Sequence, residues 1–174
     1  ILTVAMVAEQ LAMGCAGIAT ICAANALATF PVLQAGNEEQ KNIWCNCLNE
    51  GGMAAFALTE PGAGSDAGAV SCQAKKVDDG YLISGNKSFI TNGPIADKIA
   101  LFANTRQEGG IRGLTLFMVD AKAKGVSIGK KEDKMGIRAS STSEIIFEDC
   151  FVPDSQRIGR EGRGFKIAMQ TLQT

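Results

Sequence analysis

Between Glu9 and Glu38 the chain carries no charged side chain. A run this long and this apolar either crosses a membrane or folds into helices that the rest of the protein covers. Its composition favours the second course. Gly14, Gly17, Asn25 and Pro31 interrupt it, and no Lys or Arg flanks it before Lys41, whereas membrane spans are usually anchored by basic residues. The expectation is two buried helices, 1–13 and 17–33, broken from Gly14 to Gly17, with no membrane insertion. A third helix should follow. Asn37 can cap it, Gln40 stands three residues on as in a capping box, and Ile43, Trp44, Cys47 and Leu48 fall on one face. Gly51-Gly52 ends it.

From Met53 the pattern changes to β. Asp78-Asp79-Gly80 reads as a turn between strands at 70–77 and 81–91, and Asn92-Gly93-Pro94 as another. Ile99, Leu101 and Ala103 alternate with Ala100 and Phe102; Leu114, Leu116 and Met118 alternate with Thr115, Phe117 and Val119. Segments 126–131 and 144–150 complete the set. Short strands at this spacing point to a small antiparallel sandwich or barrel. Phe151-Val152-Pro153 reads as a linker, and a last helix runs from Phe165 to Leu172 behind Gly164. The fold class expected is therefore α+β: helices, a compact β unit, then the start of another helix. The divisions are 1–52, 53–152 and 153–174. Because the chain begins at Ile1 in mid-pattern and stops in helical text, it is expected to be a piece of a longer protein.

Composition narrows the function classes. Seventeen basic residues against 18 acidic ones argue against nucleic-acid binding. Residues 51–174 hold sixteen of the basic and fourteen of the acidic residues, a modest positive balance that suits a phosphate-rich ligand. There is no His, which removes His triads, His metal sites and the commonest general base. Cys15, Cys22, Cys45 and Cys47 lie in apolar helical text and are expected to be small buried thiols. Cys45 and Cys47 lack zinc spacing, so no metal site is expected, and a reducing compartment is. Two phosphate motifs nearly match and fail. Gly80-x4-Gly85-Asn86-Lys87-Ser88 has one residue too many for a P-loop, and the glycines at 159, 162 and 164 reverse the dinucleotide fingerprint.

One stretch carries more. Phe56-Ala57-Leu58-Thr59-Glu60-Pro61-Gly62-Ala63-Gly64-Ser65-Asp66 brings an apolar strand into a loop of small residues, where backbone amides can approach a large planar or anionic ligand without Cβ interference. The string closely resembles the flavin-loop signature of acyl-CoA dehydrogenases. The likeness continues through Lys87-Ser88-Phe89-Ile90-Thr91-Asn92-Gly93, Lys134-Met135-Gly136-Ile137-Arg138, Ile146-Phe147-Glu148-Asp149-Cys150 and Gly164-Phe165-Lys166-Ile167-Ala168-Met169. The later blocks are most similar to short-chain, butyryl-CoA-type members.

The resemblance implies a helical domain, a flavin-binding β domain and the first helix of a C-terminal bundle. It implies FAD as cofactor, an acyl-CoA substrate, an electron-transfer flavoprotein as acceptor, and a parent that is a homotetramer or homodimer. It also implies a bacterial cytoplasmic or eukaryotic mitochondrial-matrix location, without secretion. By the same resemblance Phe56, Leu58, Thr59, Gly64, Ser65, Phe89, Ile90 and Thr91 bind the flavin, Phe89 covers the ring face turned from substrate, and Ser65 also meets substrate. The family's catalytic base comes from the C-terminal bundle and is expected beyond Thr174, so this chain alone should be inactive.

Read without the resemblance, the same residues allow plainer roles. Phe89 at an alternating strand position is a core aromatic, Thr91 starts a turn, and Thr59 is a β-propensity choice. Glu60, followed by Pro61, reads as structural rather than as a base. Arg138 with Ser140, Ser141 and Thr142 binds phosphate or forms a solvated loop with an internal salt bridge. Gln173 stands where the family usually has Asp. An acyl-CoA oxidase on the same scaffold, and a non-catalytic flavin-binding module, are the competing functions.

Overall fold

The structure is a computed structural model that describes residues 2–106 and 110–173. Three helices open it: α1 (Leu2–Gly14), α2 (Ala16–Ala35) and α3 (Glu38–Asn49). Eight strands follow: β1 (Ala54–Ala57), β2 (Gln73–Val77), β3 (Gly80–Thr91), β4 (Lys98–Asn104), β5 (Leu114–Asp120), β6 (Val126–Lys131), β7 (Thr142–Pro153) and β8 (Arg157–Ile158). Helix α4 (Gly164–Leu172) closes the described chain. The expected α+β order is observed.

Local chemistry sets the helix ends. Cys15 is extended between α1 and α2, within the break placed at Gly14 to Gly17. The capping box at α3 is complete: Gln40 N donates to Asn37 Oδ1 at 2.8 Å, and Asn37 N donates to Gln40 Oε1 at 3.0 Å. Gln40 also donates from its amide nitrogen to the Ser155 and Arg157 carbonyls, so the cap ties α3 to the far end of the sheet. Trp44 is buried and donates its indole N–H to Thr29 Oγ1 at 3.0 Å, locking α3 onto α2. Ile43 is 42 % exposed and does not share the buried face with Trp44, because the contact with α2 covers too narrow a stripe of α3.

Of the helices, α2 is long and apolar enough to cross a membrane by length and composition. Here its Ala28, Pro31 and Val32 are buried, and Asn25 Oδ1 accepts from the Ala54 amide at 2.7 Å. The side chain that interrupts the apolar run thus docks the helix on β1.

The strands form one sheet in the order β6-β7-β3-β2-β4-β5-β8, with β1 added against β4. It is mostly antiparallel; β1 and β2 both pair parallel to β4. The β2–β3 hairpin turns through Asp78 and Asp79 with Val77 opposite Gly80. Residues 99–104 and 114–119 are buried on both strand faces. Alternation in β4 and β5 therefore does not separate core from solvent: both strands run through the core, with α2 packed on β4 and α4 on β5. Ring pairs Phe56–Phe102 and Tyr81–Phe117 fill the core at 5.2 and 4.9 Å between centroids.

Three expectations need correction. Phe151-Val152-Pro153 is the end of β7, paired with Leu82, Tyr81 and Gly80, and not a linker. Cys15, Cys45 and Cys47 are only partly buried and Cys22 is exposed; the buried thiols are Cys72, just before β2, and Cys150 in β7. The apolar text of α1 and α2 exceeds the surface that the sheet can cover, which leaves Met6, Val7, Met13 and Ile18 exposed as well. Arg138 makes no salt bridge among the described residues; its Nε donates to the Lys134 carbonyl at 2.7 Å.

Candidate functional site

A cavity of about 600 Å³ opens between α2, the end of β1, the 58–67 loop, the end of β3 and α4. All eight residues proposed from the sequence line it: Phe56, Leu58, Thr59, Gly64, Ser65, Phe89, Ile90 and Thr91. They come from two segments, and the parallel pairing of β1 with β4 and the packing of β1 near β3 bring these together. Sequence reasoning missed the third wall, made by Thr20, Ala23, Ala24 and Leu27 of α2, and the fourth, made by Met169 and Leu172 of α4. Small residues at 23 and 24 give α2 room for a ligand, but only the tertiary placement of α2 reveals it.

Among the described residues the lining has no charged side chain. Its polar groups are hydroxyls, and among the described residues those of Thr59, Ser65 and Thr91 have no protein partner. In the rest of the cavity wall, Thr20 Oγ1 is taken by the Ala16 carbonyl at 2.8 Å. An apolar slot with a few unpaired donors and acceptors suits a flat, largely apolar ligand with polar atoms on one edge.

Phe89 sits at φ +57 and is 63 % exposed. It is not the core aromatic that strand alternation gives. The β3–β7 register shifts between Lys87 and Ile90, and this bulge turns one residue outward into the cavity. A bulky residue in the left-handed region is strained by about 1–2 kcal/mol. Strain at an exposed aromatic beside a cavity is the pattern of a ligand platform. Asn92, also left-handed at φ +64, is buried just past Thr91. Its amide nitrogen donates to the Ile21 and Ala54 carbonyls at 3.1 Å, so it fixes α2 against β1 on one side of the opening.

Beneath the loop lies a buried ion pair. Lys87 Nζ donates to Glu60 Oε1 at 2.7 Å and to the Leu58 carbonyl at 3.0 Å. Both side chains are almost wholly inaccessible. Glu60 also accepts from Ser71 N, Ser71 Oγ and Cys72 N, at 2.7, 2.6 and 3.0 Å. Burial pushes the Glu60 carboxyl up, but the Lys87 charge and the hydrogen bonds from Lys87 and Ser71 outweigh it, so the carboxyl lies below its ordinary value. Burial pulls Lys87 below the usual lysine value, opposed by Glu60. Glu60, saturated by donors and turned from the cavity, is no candidate base, in line with the structural role read from Pro61. Burial pushes the neighbouring Cys72 up to about 11, so it stays a thiol. Sequence reasoning missed this pair, because its members stand 27 residues apart and neither carries a local marker of burial.

Residues 55–150 match the acyl-CoA dehydrogenase middle domain, and residues 1–52 match the acyl-CoA dehydrogenase N-terminal domain. The chain belongs to the acyl-CoA dehydrogenase family. Among relatives, the short-chain specific acyl-CoA dehydrogenase of Clostridium acetobutylicum is 43% identical over 174 residues, covering 99% of this chain and 46% of that protein. The solved butyryl-CoA dehydrogenase of Megasphaera elsdenii superimposes with a TM-score of 0.86 at 45% identity, over 90% of this chain and 42% of that one. An acyl-CoA dehydrogenase from Bacillus anthracis solved in complex with FAD gives 0.83 at 36% identity, over 90% and 27%. The chain thus spans less than half the length of these family members.

Proposed function

We propose that this chain supplies the flavin cradle of an FAD-dependent acyl-CoA dehydrogenase acting on short-chain thioesters. The observation that carries the reading is the cavity itself: eight residues chosen from two sequence segments line one apolar slot with unpaired hydroxyls and a strained, exposed Phe89. The donor set fits the cofactor. Phe56 and Leu58 offer apolar contact to an aromatic ring. Thr59 and Thr91 offer hydroxyls to its nitrogens, Gly64 and Ser65 lie exposed where a pyrophosphate could approach, and Phe89 covers one ring face. When bound, the flavin supplies the two-electron acceptor for α,β-dehydrogenation of the thioester. The chain's own residues orient the ring and exclude water from it. Ser65 also meets substrate.

Among the described residues no carboxylate lines the cavity, so on this reading the α proton is removed by a base that residues 1–174 do not supply. On this reading residues 1–52 close the N-terminal helical domain, 53–152 form the flavin-binding domain and 153–174 begin the C-terminal bundle. The parent works as a homotetramer or homodimer and passes electrons to an electron-transfer flavoprotein, in the bacterial cytoplasm or the mitochondrial matrix.

The test uses the protein from the longest reading frame containing this chain. It should bleach bound FAD anaerobically with butyryl-CoA, and kcat/KM for butyryl-CoA should exceed that for octanoyl-CoA; the reverse preference removes the short-chain assignment. Residues 1–174 alone should bleach at least about 10²-fold more slowly, the usual cost of a missing base. A rate near that of the parent would place the base within this chain.

A further inference from the structure

We propose that the buried Lys87–Glu60 pair is a positioning device for the cavity: it holds the Leu58–Thr59 peptide so that the Thr59 N–H is presented, polarised, to the electron-rich edge of a bound ring. The proposal rests on the flavin reading above and names a part of the chain that touches no ligand.

The Leu58 carbonyl is fixed from below by the Lys87 ammonium at 3.0 Å. The next carbonyl, that of Thr59, is fixed by Ser88 N at 2.9 Å. Both anchors come from β3, from the stretch that leads into the Phe89 bulge. No cis peptide bond occurs among the described residues, and in a trans peptide C=O and N–H point in opposite directions. With the Leu58 oxygen aimed at the buried Lys87, the Thr59 N–H points away from the pair, and among the described residues no protein group accepts it. Leu58 and Thr59 both line the cavity. A carbonyl that accepts from a cation makes the N–H of the same peptide a stronger donor, since hydrogen bonds in series polarise one another. Glu60 keeps the ammonium in place. Three donors from Ser71 and Cys72 hold its carboxylate, so the lysine cannot swing toward solvent. Stability alone does not require this arrangement, because a buried ion pair can usually be replaced by neutral groups of similar volume without loss.

The experiment compares wild type with the double variant Lys87→Met/Glu60→Gln, which removes both charges and keeps the volume. Urea unfolding reports the fold, the ¹⁵N–¹H resonance of Thr59 in the flavin-free 174-residue chain reports the peptide, and FAD affinity and midpoint potential are read on the parent protein. The expected result is an unfolding midpoint close to wild type, a displaced Thr59 amide resonance, about tenfold weaker FAD binding and a more negative potential. A purely structural pair would leave the resonance, the affinity and the potential at wild-type values, and that outcome overturns the proposal. If the double variant does not fold, Ser71→Ala removes one hydroxyl from Glu60 and leaves both charges; it should move the resonance and potential in the same direction by less, and no movement overturns the proposal. A wild-type parent that takes up no FAD defeats the flavin reading, while the amide resonance still decides whether the pair positions the peptide.

Discussion

The 58–72 loop has two sides that differ in how their polar groups are satisfied. On the inner side, Glu60, Lys87, Ser71, Cys72 and the Leu58 carbonyl form a closed set of hydrogen bonds around a buried ion pair, with Ser71 at its exposed rim. On the outer side, Thr59, Ser65 and Thr91 present hydroxyls to a 600 Å³ cavity with no protein partner among the described residues, next to a strained Phe89. Folding requires the polar groups of the inner side to be paired, since an unpaired one there would be costly. It does not explain the outer side, where backbone strain and unused donors bring the fold no benefit. The difference separates residues that build and position the loop from residues that face a ligand.

Changes on the inner side should cost stability. Lys87→Met leaves Glu60 buried and uncompensated and should lower unfolding free energy by about 3–5 kcal/mol, read from urea denaturation. A loss below about 1 kcal/mol would mean that water reaches the pair. The Glu60 contribution also sets a pH dependence. Its folded value is depressed below the unfolded one, near 4.3 for Glu. The stability it adds is therefore present above the unfolded value and is lost as pH falls through that value toward the folded one. Urea midpoints should drop across this window more steeply in wild type than in Lys87→Met/Glu60→Gln; equal slopes would assign the acid sensitivity to other carboxylates.

Changes on the outer side should cost function and little else. Phe89→Gly removes left-handed strain of about 1–2 kcal/mol at a modest gain in unfolded-chain entropy. The variant should stay within about 1 kcal/mol of wild type while binding FAD markedly less tightly. A large stability loss would make Phe89 a core residue after all. Thr91→Val is the smallest expected effect. It should shift stability by less than about 0.5 kcal/mol, as ordinary surface changes do, and still alter the visible spectrum or potential of bound flavin. An unchanged flavin spectrum would remove Thr91 from the site.

What the sequence disclosed follows the range of the interactions. The α3 capping box joins residues three apart and the β2–β3 turn spans two, so both were legible from local chemistry. The eight lining residues fall in two short segments, and a signature resemblance found them. The Lys87–Glu60 pair joins residues 27 apart in the chain, and nothing local declares a lysine buried. Phe89 faces the cavity only because of a bulge against β7, which a period-two reading cannot see. The contribution of α2 to the cavity depends on Asn25 and Asn92 docking that helix on β1, again a long-range matter. Helix text likewise gave apolar character without saying which faces of α1 and α2 would stay uncovered, and the cysteine expectation failed there.

The most direct test of the account is flavin uptake by the protein from the longest reading frame that contains this chain. Purified from flavin-rich cells or titrated with FAD, it should carry a yellow chromophore, and uptake should be strongly weakened by Phe89→Gly at unchanged fold stability. A colourless protein that takes up no FAD on titration would contradict the assignment of the 58–67 loop and the end of β3 as a flavin cradle.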